Sequence, residues 1–393
     1  MLTQAQLDII KATVPLLESG GEALTTHFYR IMLGEYPAVR PLFNQAHQAS
    51  GAQPRALANG VLMYAKHIDQ LEALGPLVAQ IVNKHVALQI LPEHYPIVGA
   101  CLLRAIREVL GESVATPAVI DAWGAAYQQL ADILIGAESK AYDELAQAPG
   151  GWRGERRFRV VRKVPESAEI TSFHLVPVDG GEVVAFKPGQ YIGLKLEIDG
   201  HEVRRNYSLS SAPNGRGYRI SVKREAQGVV SGFLHDRMPE GGELTLFPPA
   251  GAFTLDDGER ALVLISGGVG ITPTLAMAEW ALTHTARPVV FIHYARNAAV
   301  HAFGEVVEQW AREYPQFQHH LVFEQVSPSD TRQPDATGRP SVEQLRQWVP
   351  EDAEVYFLGP KPFMAFIKRA LVTLGVPEAQ THYEFFGPAE ALD

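Results

Sequence analysis

The hydrophobic period of this chain changes twice, and over 393 residues that predicts about two or three domains. Up to about residue 148 apolar positions recur at helical spacing, as Val98, Leu102, Leu103, Ile106 and Leu110 do. Thr3 and Gln6 fit a capping box ahead of the first such run, and Pro37, Pro41, Pro54, Pro92 and Pro117 punctuate the helices. A glycine-rich break, AQAPGGWRGERRF, follows. The period then becomes two: Tyr218, Ile220 and Val222 alternate with Arg219, Ser221 and Lys223, and Leu194, Leu196 and Ile198 with Lys195 and Glu197. The turns PVDGGE, EIDGHE and APNGRG carry Asp-Gly and Asn-Gly pairs, which predicts a small antiparallel barrel ending near FPPAGAF. From about residue 259 the apolar runs become continuous (ALVLIS, PVVFIHYA, HHLVFEQ, EVYFLGP), with helical stretches such as 273–284, 303–313 and 341–348 between them. Buried parallel strands alternating with helices make an α/β domain of nucleotide-binding type. The expected organisation is an all-α domain over 1–148, an antiparallel β-barrel over 153–256 and a parallel-sheet α/β domain over 259–393.

The remaining bounds exclude several classes. A net charge of −10 argues against a nucleic-acid binder, whose surface is normally basic. The one cysteine, Cys101, excludes an internal disulfide and a cysteine-rich zinc site, and fits a reducing compartment. MLTQAQLDIIKATVPLLESGG lacks the basic start and long apolar run of a signal peptide, and no stretch is apolar enough for a membrane span. A cytoplasmic setting is expected.

The segment VNKHVALQILPEHYPIVG decides what the helical domain does. Leu77, Val78, Ile81, Val82, His85 and Val86 share one helical stripe, so His85 points inward. A lone inward histidine is by default a core residue satisfied by a hydrogen bond. It also makes a poor zinc site, because zinc wants three or four protein ligands. A haem needs only one, since the porphyrin supplies four nitrogens. An all-helical domain of this size with one inward histidine is therefore a haem candidate.

Here the sequence resembles the flavohaemoglobins, globins fused to a ferredoxin-reductase-like module, along essentially its whole length. The resemblance makes 1–148 a globin haem domain, 153–256 a FAD-binding barrel and 259–393 an NAD(P)-binding domain. It makes His85 the proximal ligand of the haem iron, Tyr29 in THFYRIM the distal tyrosine and Phe43 in PLFNQ the aromatic against the porphyrin. Gln53 and Leu57, four apart and so on one helix face, match distal positions. Tyr95 and Glu138 match residues that hydrogen-bond around the proximal histidine. A carboxylate and a phenol there give the imidazole more imidazolate character.

In RRNYSLS, Arg205, Asn206, Tyr207 and Ser208 match the R-x-Y-S tetrapeptide that lies along FAD: guanidinium to phosphate, phenol on the isoalloxazine, hydroxyl at the N5 edge. Tyr191 in KPGQYIGL matches a second flavin-side aromatic. Gly228, Val229, Val230 and Ser231 match the segment that meets the flavin pyrophosphate at a helix start. In LISGGVGITP, residues Gly267, Gly268, Val269, Gly270, Ile271 and Thr272 match the reductase nucleotide loop. Its glycines admit a phosphate close to the backbone, with Thr272 a natural N-cap and Pro273 a natural first helical residue. At the C-terminus Phe385, Phe386, Gly387 and Pro388 match the segment that covers the flavin, and Lys84 and Glu384 match charges tuning the two potentials. Two positions depart from the pattern: Leu358 stands where relatives have cysteine, and Ile271 where close relatives have glutamine. Arg296 in HYARN suits a 2′-phosphate, and equally suits an exposed loop.

The resemblance implies cofactors haem b, FAD and NADH or NADPH, oxygen and nitric oxide as substrates, and no obligate protein partner. The implied reaction is nitric oxide dioxygenation to nitrate, with electrons passing from NAD(P)H through FAD to haem. Two alternatives stay open: an oxygen-binding globin, and a haem/flavin reductase with an external acceptor such as a quinone or ferric chelate.

Overall fold

A computed structural model describes residues 2–43, 51–328, 330, 332–387 and 392. The helical part contains α1 (Gln4–Glu35), α2 (Ala52–Lys66), α3 (Gly75–Leu88), α4 (Tyr95–Leu110) and α5 (Pro117–Gln147). The Thr3–Gln6 capping box is present at the start of α1. Helix α1 packs on α2, α4 and α5 around a core that includes Ile10, Phe28, Met32, Tyr64 and Ile106. Helix α3 stops at Gln89, whose left-handed backbone (φ 58°) closes the last turn, and the Ile90 amide bonds back to the His85 carbonyl at 2.9 Å.

The alternating segment forms β1 (Arg156–Pro165), β2 (Ile170–Pro177), β3 (Tyr191–Ile198), β4 (His201–Ser208), β5 (Tyr218–Lys223) and β6 (Glu243–Leu246), with a short helix α6 (Val229–Asp236) before β6. Sheet order is β4-β3-β6-β1-β2-β5. The β3–β4 hairpin turns on Asp199 (φ 53°) and Gly200 (φ 78°), the left-handed pair that a two-residue hairpin requires. Just past β4, Leu209 bridges to Ile220 of β5, so the two ends of the order meet and the sheet curls into a barrel.

The last part alternates β7 (Ala261–Gly267), α7 (Ile271–His284), β8 (Val289–Ala295), α8 (Gly304–Glu313), β9 (Phe317–Phe323), β10 (Ala336–Thr337), α9 (Val342–Trp348), β11 (Ala353–Leu358), α10 (Lys361–Thr373) and β12 (Thr381–Tyr383). All strands in the order β10-β9-β8-β7-β11-β12 run parallel. Both faces are covered, as the continuous apolar runs require: Leu262 and Leu264 share a core with Leu275 of α7, while Val263 and Ile265 share one with Met364 and Ile367 of α10.

By contacts the chain forms two compact units. One holds residues up to Gln147 with His201–Arg205 and Gly387; the other holds Ala148–Gly200 and Asn206–Phe386. Within the second, buried Arg287 bonds through Nη1 to Asp256 Oδ1 (3.0 Å) and the Gly258 carbonyl (2.8 Å), and the Tyr356 hydroxyl accepts from the Asp256 amide (3.0 Å). These bonds fix the connector between barrel and α/β module. Among the described residues no single helix is long and apolar enough to cross a membrane.

Between β8, β9 and α8 lies a polar cavity of about 70 Å³ lined by His293, His301, His319, Glu308, Arg332 and Asp335, among others. His293 Nδ1 sits 2.8 Å from Ser266 Oγ, the His293 and His301 rings stack at 5.5 Å, and Arg332 Nη1 is 3.3 Å from His301 Nδ1. Burial, then the nearby Arg332 charge, lowers His301 from the ordinary 6.5 to about 4, and burial and His301 push His293 well below 6.5. Both rings are neutral in the folded protein and take up protons on unfolding. Their contribution to stability is therefore whole above pH 6.5 and lost as pH falls from there towards 4. Denaturant midpoints measured between these limits are expected to fall for the unaltered protein and to fall less for His301→Gln. Superimposable pH profiles would contradict this account.

Candidate active site

His85 on α3 reaches into a hydrogen-bonded group drawn from three helices. Its Nδ1 lies 2.7 Å from Glu138 Oε1 on α5 and 3.2 Å from the Tyr95 hydroxyl at the start of α4. The same Glu138 oxygen accepts from that hydroxyl at 2.6 Å. Glu138 and Tyr95 are buried. Burial, then the Glu138 hydrogen bond and charge, pushes the Tyr95 phenol up, so it stays protonated and donating. With Nδ1–H directed at a carboxylate, the lone pair of the imidazole is on Nε2, which has no partner among the described residues. The ring is held by more than its side-chain bonds. Tyr142, one turn beyond Glu138, donates to the Ile90 (2.8 Å) and His85 (3.4 Å) carbonyls, and Tyr127 donates to the Tyr95 carbonyl at 2.6 Å. Neither tyrosine is anticipated from the sequence, although the spacing of Tyr142 from Glu138 puts both on one face of α5.

A second group surrounds Tyr29. This residue is buried, meets Phe28 and Phe43 edge-on at 4.9 and 5.6 Å between centroids, and hydrogen-bonds Gln53. Burial raises its pKa more than Gln53 lowers it, so the phenol is a neutral donor. Leu57 packs on the same core. The residues fit a planar apolar group: Leu77, Val78, Ile81 and Val82 on the His85 stripe and Phe43 and Leu57 near Tyr29 are only half-buried, and His85 Nε2, unpartnered among the described residues, would be available to hold its metal. Lys84 donates to the Gly387 carbonyl at 2.7 Å within the first unit.

The residues expected to meet the flavin lie along the barrel and in the segment after β12. Strand β4 carries Arg205, Asn206, Tyr207 and Ser208; by alternation Arg205 and Tyr207 share one face, Asn206 and Ser208 the other. Arg205 Nη1 donates to the Arg204 carbonyl at 2.6 Å, and Tyr207 is half-buried. Tyr191 is buried, bridged through its backbone to Ala250, and feels the charge of Glu384. Gly228 caps α6, Val229 is exposed, and Val230 and Ser231 are buried; Ser231 Oγ is engaged locally, accepting from the Glu225 amide (3.2 Å) and donating to the Gly228 carbonyl (3.3 Å). Phe385 packs against Tyr383, whereas Phe386 is 49 % exposed, an apolar ring suited to a flat partner. Pro388 lies outside the described residues.

The nucleotide loop corrects the expectations for Thr272 and Pro273 and adds a packing role for Gly270. Thr272 is not the N-cap of α7: the helix begins at Ile271 after a tight turn over Gly268–Gly270, and the Thr272 hydroxyl donates to the Val269 carbonyl at 3.0 Å. Pro273 accordingly falls in the first turn, not at its first position. Nor is Gly270 small for a phosphate alone, since a Cβ there would come within 2.3 Å of the Leu358 carbonyl oxygen. Gly268, exposed and left-handed (φ 56°) with nothing near its missing Cβ, is the open point of the turn. Gly267 packs on the Phe363 ring, Val269 is half-buried, and Ile271 is wholly buried in the core, so its side chain is turned away from any ligand. Leu358 is core as well.

The globin family model matches residues 26–134, the oxidoreductase FAD-binding domain 157–255 and the oxidoreductase NAD-binding domain 264–369. The chain is 67 % identical over 395 residues to a flavohemoprotein of Pseudomonas aeruginosa and 46 % identical over 399 residues to one of Rhizobium meliloti, covering 100 % and 99 % of both chains respectively. A crystal structure of flavohemoglobin from Malassezia yamatoensis with bound FAD and heme, 27 % identical, superposes with a TM-score of 0.85 over 98 % of this chain and 100 % of that one. The flavohem-like FAD/NAD-binding domain of nitric oxide dioxygenase from Vibrio cholerae, 38 % identical, matches 59 % of this chain and 99 % of its own with a TM-score of 0.55. A helical unit holding a polarised histidine, an antiparallel flavin barrel and a parallel nucleotide-binding sheet thus occur in one chain with full-length relatives of the same build: the chain belongs to the flavohemoprotein family and is a FAD- and haem-dependent NAD(P)H oxidoreductase.

Proposed function

We propose that the chain is a nitric oxide dioxygenase, converting nitric oxide and dioxygen to nitrate with electrons from NAD(P)H. The observation that carries this reading is the pairing of a buried, donating Tyr29 with a His85 that is hydrogen-bonded to a buried carboxylate. When bound, the haem supplies the iron at which the two gases react, and FAD converts a hydride into single electrons. His85 would hold the iron through Nε2. Glu138, fixed by Tyr95, strengthens that nitrogen as a donor by drawing on the Nδ1 proton, which favours oxygen chemistry over storage. Tyr29, held by its hydrogen bond with Gln53, would offer its hydroxyl proton to dioxygen in the pocket and so slow its escape. Arg205, Asn206, Tyr207, Ser208, Tyr191, the segment Gly228–Ser231 and the C-terminal Phe385–Pro388 would hold FAD. Gly267–Thr272 would hold the nicotinamide nucleotide, with Lys84 and Glu384 setting the charge around the redox centres. The Vibrio cholerae relative named for this activity supports the reading. A cytoplasmic site, where NAD(P)H is made, and independence of a protein partner complete the proposal.

Electron counting fixes the stoichiometry: each nitrate takes one electron, so each NADH supports two turnovers. The testing experiment is anaerobic reduction, then admission of air and nitric oxide, with nitrate and NADH measured together. Two nitrates per NADH are expected; an absence of nitrate would favour the reductase or storage readings. In His85→Ala, haem content is expected to collapse while FAD stays near its normal level, because the barrel does not use α3 for its core; a normal haem spectrum would refute the assignment. Tyr29→Phe removes one buried hydrogen bond worth about 1–3 kcal/mol. Stopped-flow measurement is expected to show oxygen leaving about ten-fold faster or more, nitrate formation slowed and flavin reduction by NADH unchanged. An unaltered oxygen off-rate would remove Tyr29 from the mechanism.

A further inference from the structure

The nucleotide-binding sheet reverses its direction of growth beside β7, with β8 on one side and β11 on the other. In sheets of this kind a dinucleotide lies across the carboxyl ends of the strands at that point. The residue after the second strand then meets the adenosine ribose: a carboxylate binds its free hydroxyls, and an arginine takes a 2′-phosphate. Here the second strand is β8, and no Asp or Glu occurs between His293 and Ala302; Arg296 stands directly after the strand. Its side chain is 59 % exposed and ion-paired with Glu169, from the β1–β2 turn of the barrel. That turn is tied to the loop after β8, where the Ala168 amide donates to the Ala299 carbonyl at 2.9 Å, and to the end of barrel strand β5, where the Arg224 amide donates to the Glu169 carbonyl at 2.8 Å. Close to Arg296 in sequence, the buried polar atoms Tyr294 Oη and Asn297 Oδ1 lack a partner among the described residues. Tyr294 is in register with Gly267, where the glycine turn begins.

We propose that Glu169 and Arg296 form a coenzyme selector, with Arg296 receiving the 2′-phosphate of NADPH and Glu169 moderating it. This rests on the reading of the module as a nicotinamide-dinucleotide site. An exposed carboxylate–guanidinium pair is weak, whereas a phosphate dianion binds a guanidinium through two charge-assisted bonds. Arg296 therefore exchanges its carboxylate partner for the phosphate. Glu169, anchored by the barrel, stays nearby and repels the same phosphate. The chain accepts both coenzymes, and the barrel's carboxylate keeps NADPH from dominating.

The test is calorimetric titration of the haem- and FAD-loaded full-length protein with NADP+ and with NAD+, which bind without turnover. Arg296→Ala is expected to weaken NADP+ by about ten-fold or more and NAD+ by less than about two-fold. Arg296→Lys should restore part of the loss, and Glu169→Gln should tighten NADP+ several-fold while leaving NAD+ unchanged. Equal changes for both coenzymes, or none for either, would overturn the selector while leaving the dinucleotide site in place. Failure of the unaltered protein to bind either dinucleotide would overturn the site and the selector together.

Discussion

One carboxylate organises the helical unit. Glu138 is buried, and a buried carboxylate is tolerated only with hydrogen-bond donors beside it. Two donors reach its Oε1, the His85 imidazole and the Tyr95 phenol, from two other helices. Removing either would leave a buried charge short of a partner, which costs several times what an exposed pair is worth. The positions of α3, α4 and α5 are thereby coupled to the tautomer of His85. Tyr127 and Tyr142 extend this into the backbone of the same helices, so the direction in which Nε2 points is a property of the packed unit.

The second unit solves a different problem, keeping the barrel, the nucleotide sheet and the C-terminal segment in fixed relation. Arg287 and Tyr356 hold the Asp256–Gly258 connector. Tyr356 also stacks on His382 of β12 at 4.5 Å, and His382 bonds buried Glu354 at 2.5 Å, with Arg260 as that carboxylate's second partner. The strand leading to Glu384, Phe385 and Phe386 is therefore anchored to the connector by a continuous polar and aromatic chain. Glu279 of α7 accepts from the Ala212 amide at 2.7 Å, a further tie between the nucleotide helix and the barrel. Such links transmit a fixed geometry from the nucleotide side to the flavin side.

Much of the fold was legible because it is written in local period. Helical periodicity maps onto the helices up to residue 147, alternation at 194–198 and 218–223 onto β3 and β5, and the continuous apolar runs onto β7, β8, β9 and β11, and Asp199-Gly200 turns as its residue types require. The His85, Tyr95 and Glu138 grouping was not legible from spacing: the residues come from three helices, and only resemblance to a family brought them together. Where local rules misled, tertiary packing was the cause. Thr272 lost its capping role because the turn over Gly268–Gly270 starts the helix earlier. Gly270 has a packing reason to be small as well, since a Cβ there would abut the Leu358 carbonyl. The Glu169–Arg296 pair carries no local signal and Tyr142 only its four-residue spacing from Glu138, since each is defined by a partner far along the chain.

The central claim is that Glu138 polarises His85 and that this sets the donor strength presented to the iron. The iron–histidine stretching frequency of the reduced, ligand-free protein reports that strength directly, and resonance Raman spectroscopy measures it. The account predicts a high frequency in the unaltered protein, and a fall towards that of a neutral, weakly bonded imidazole in Glu138→Gln with haem retained. The same frequency in both proteins would contradict it.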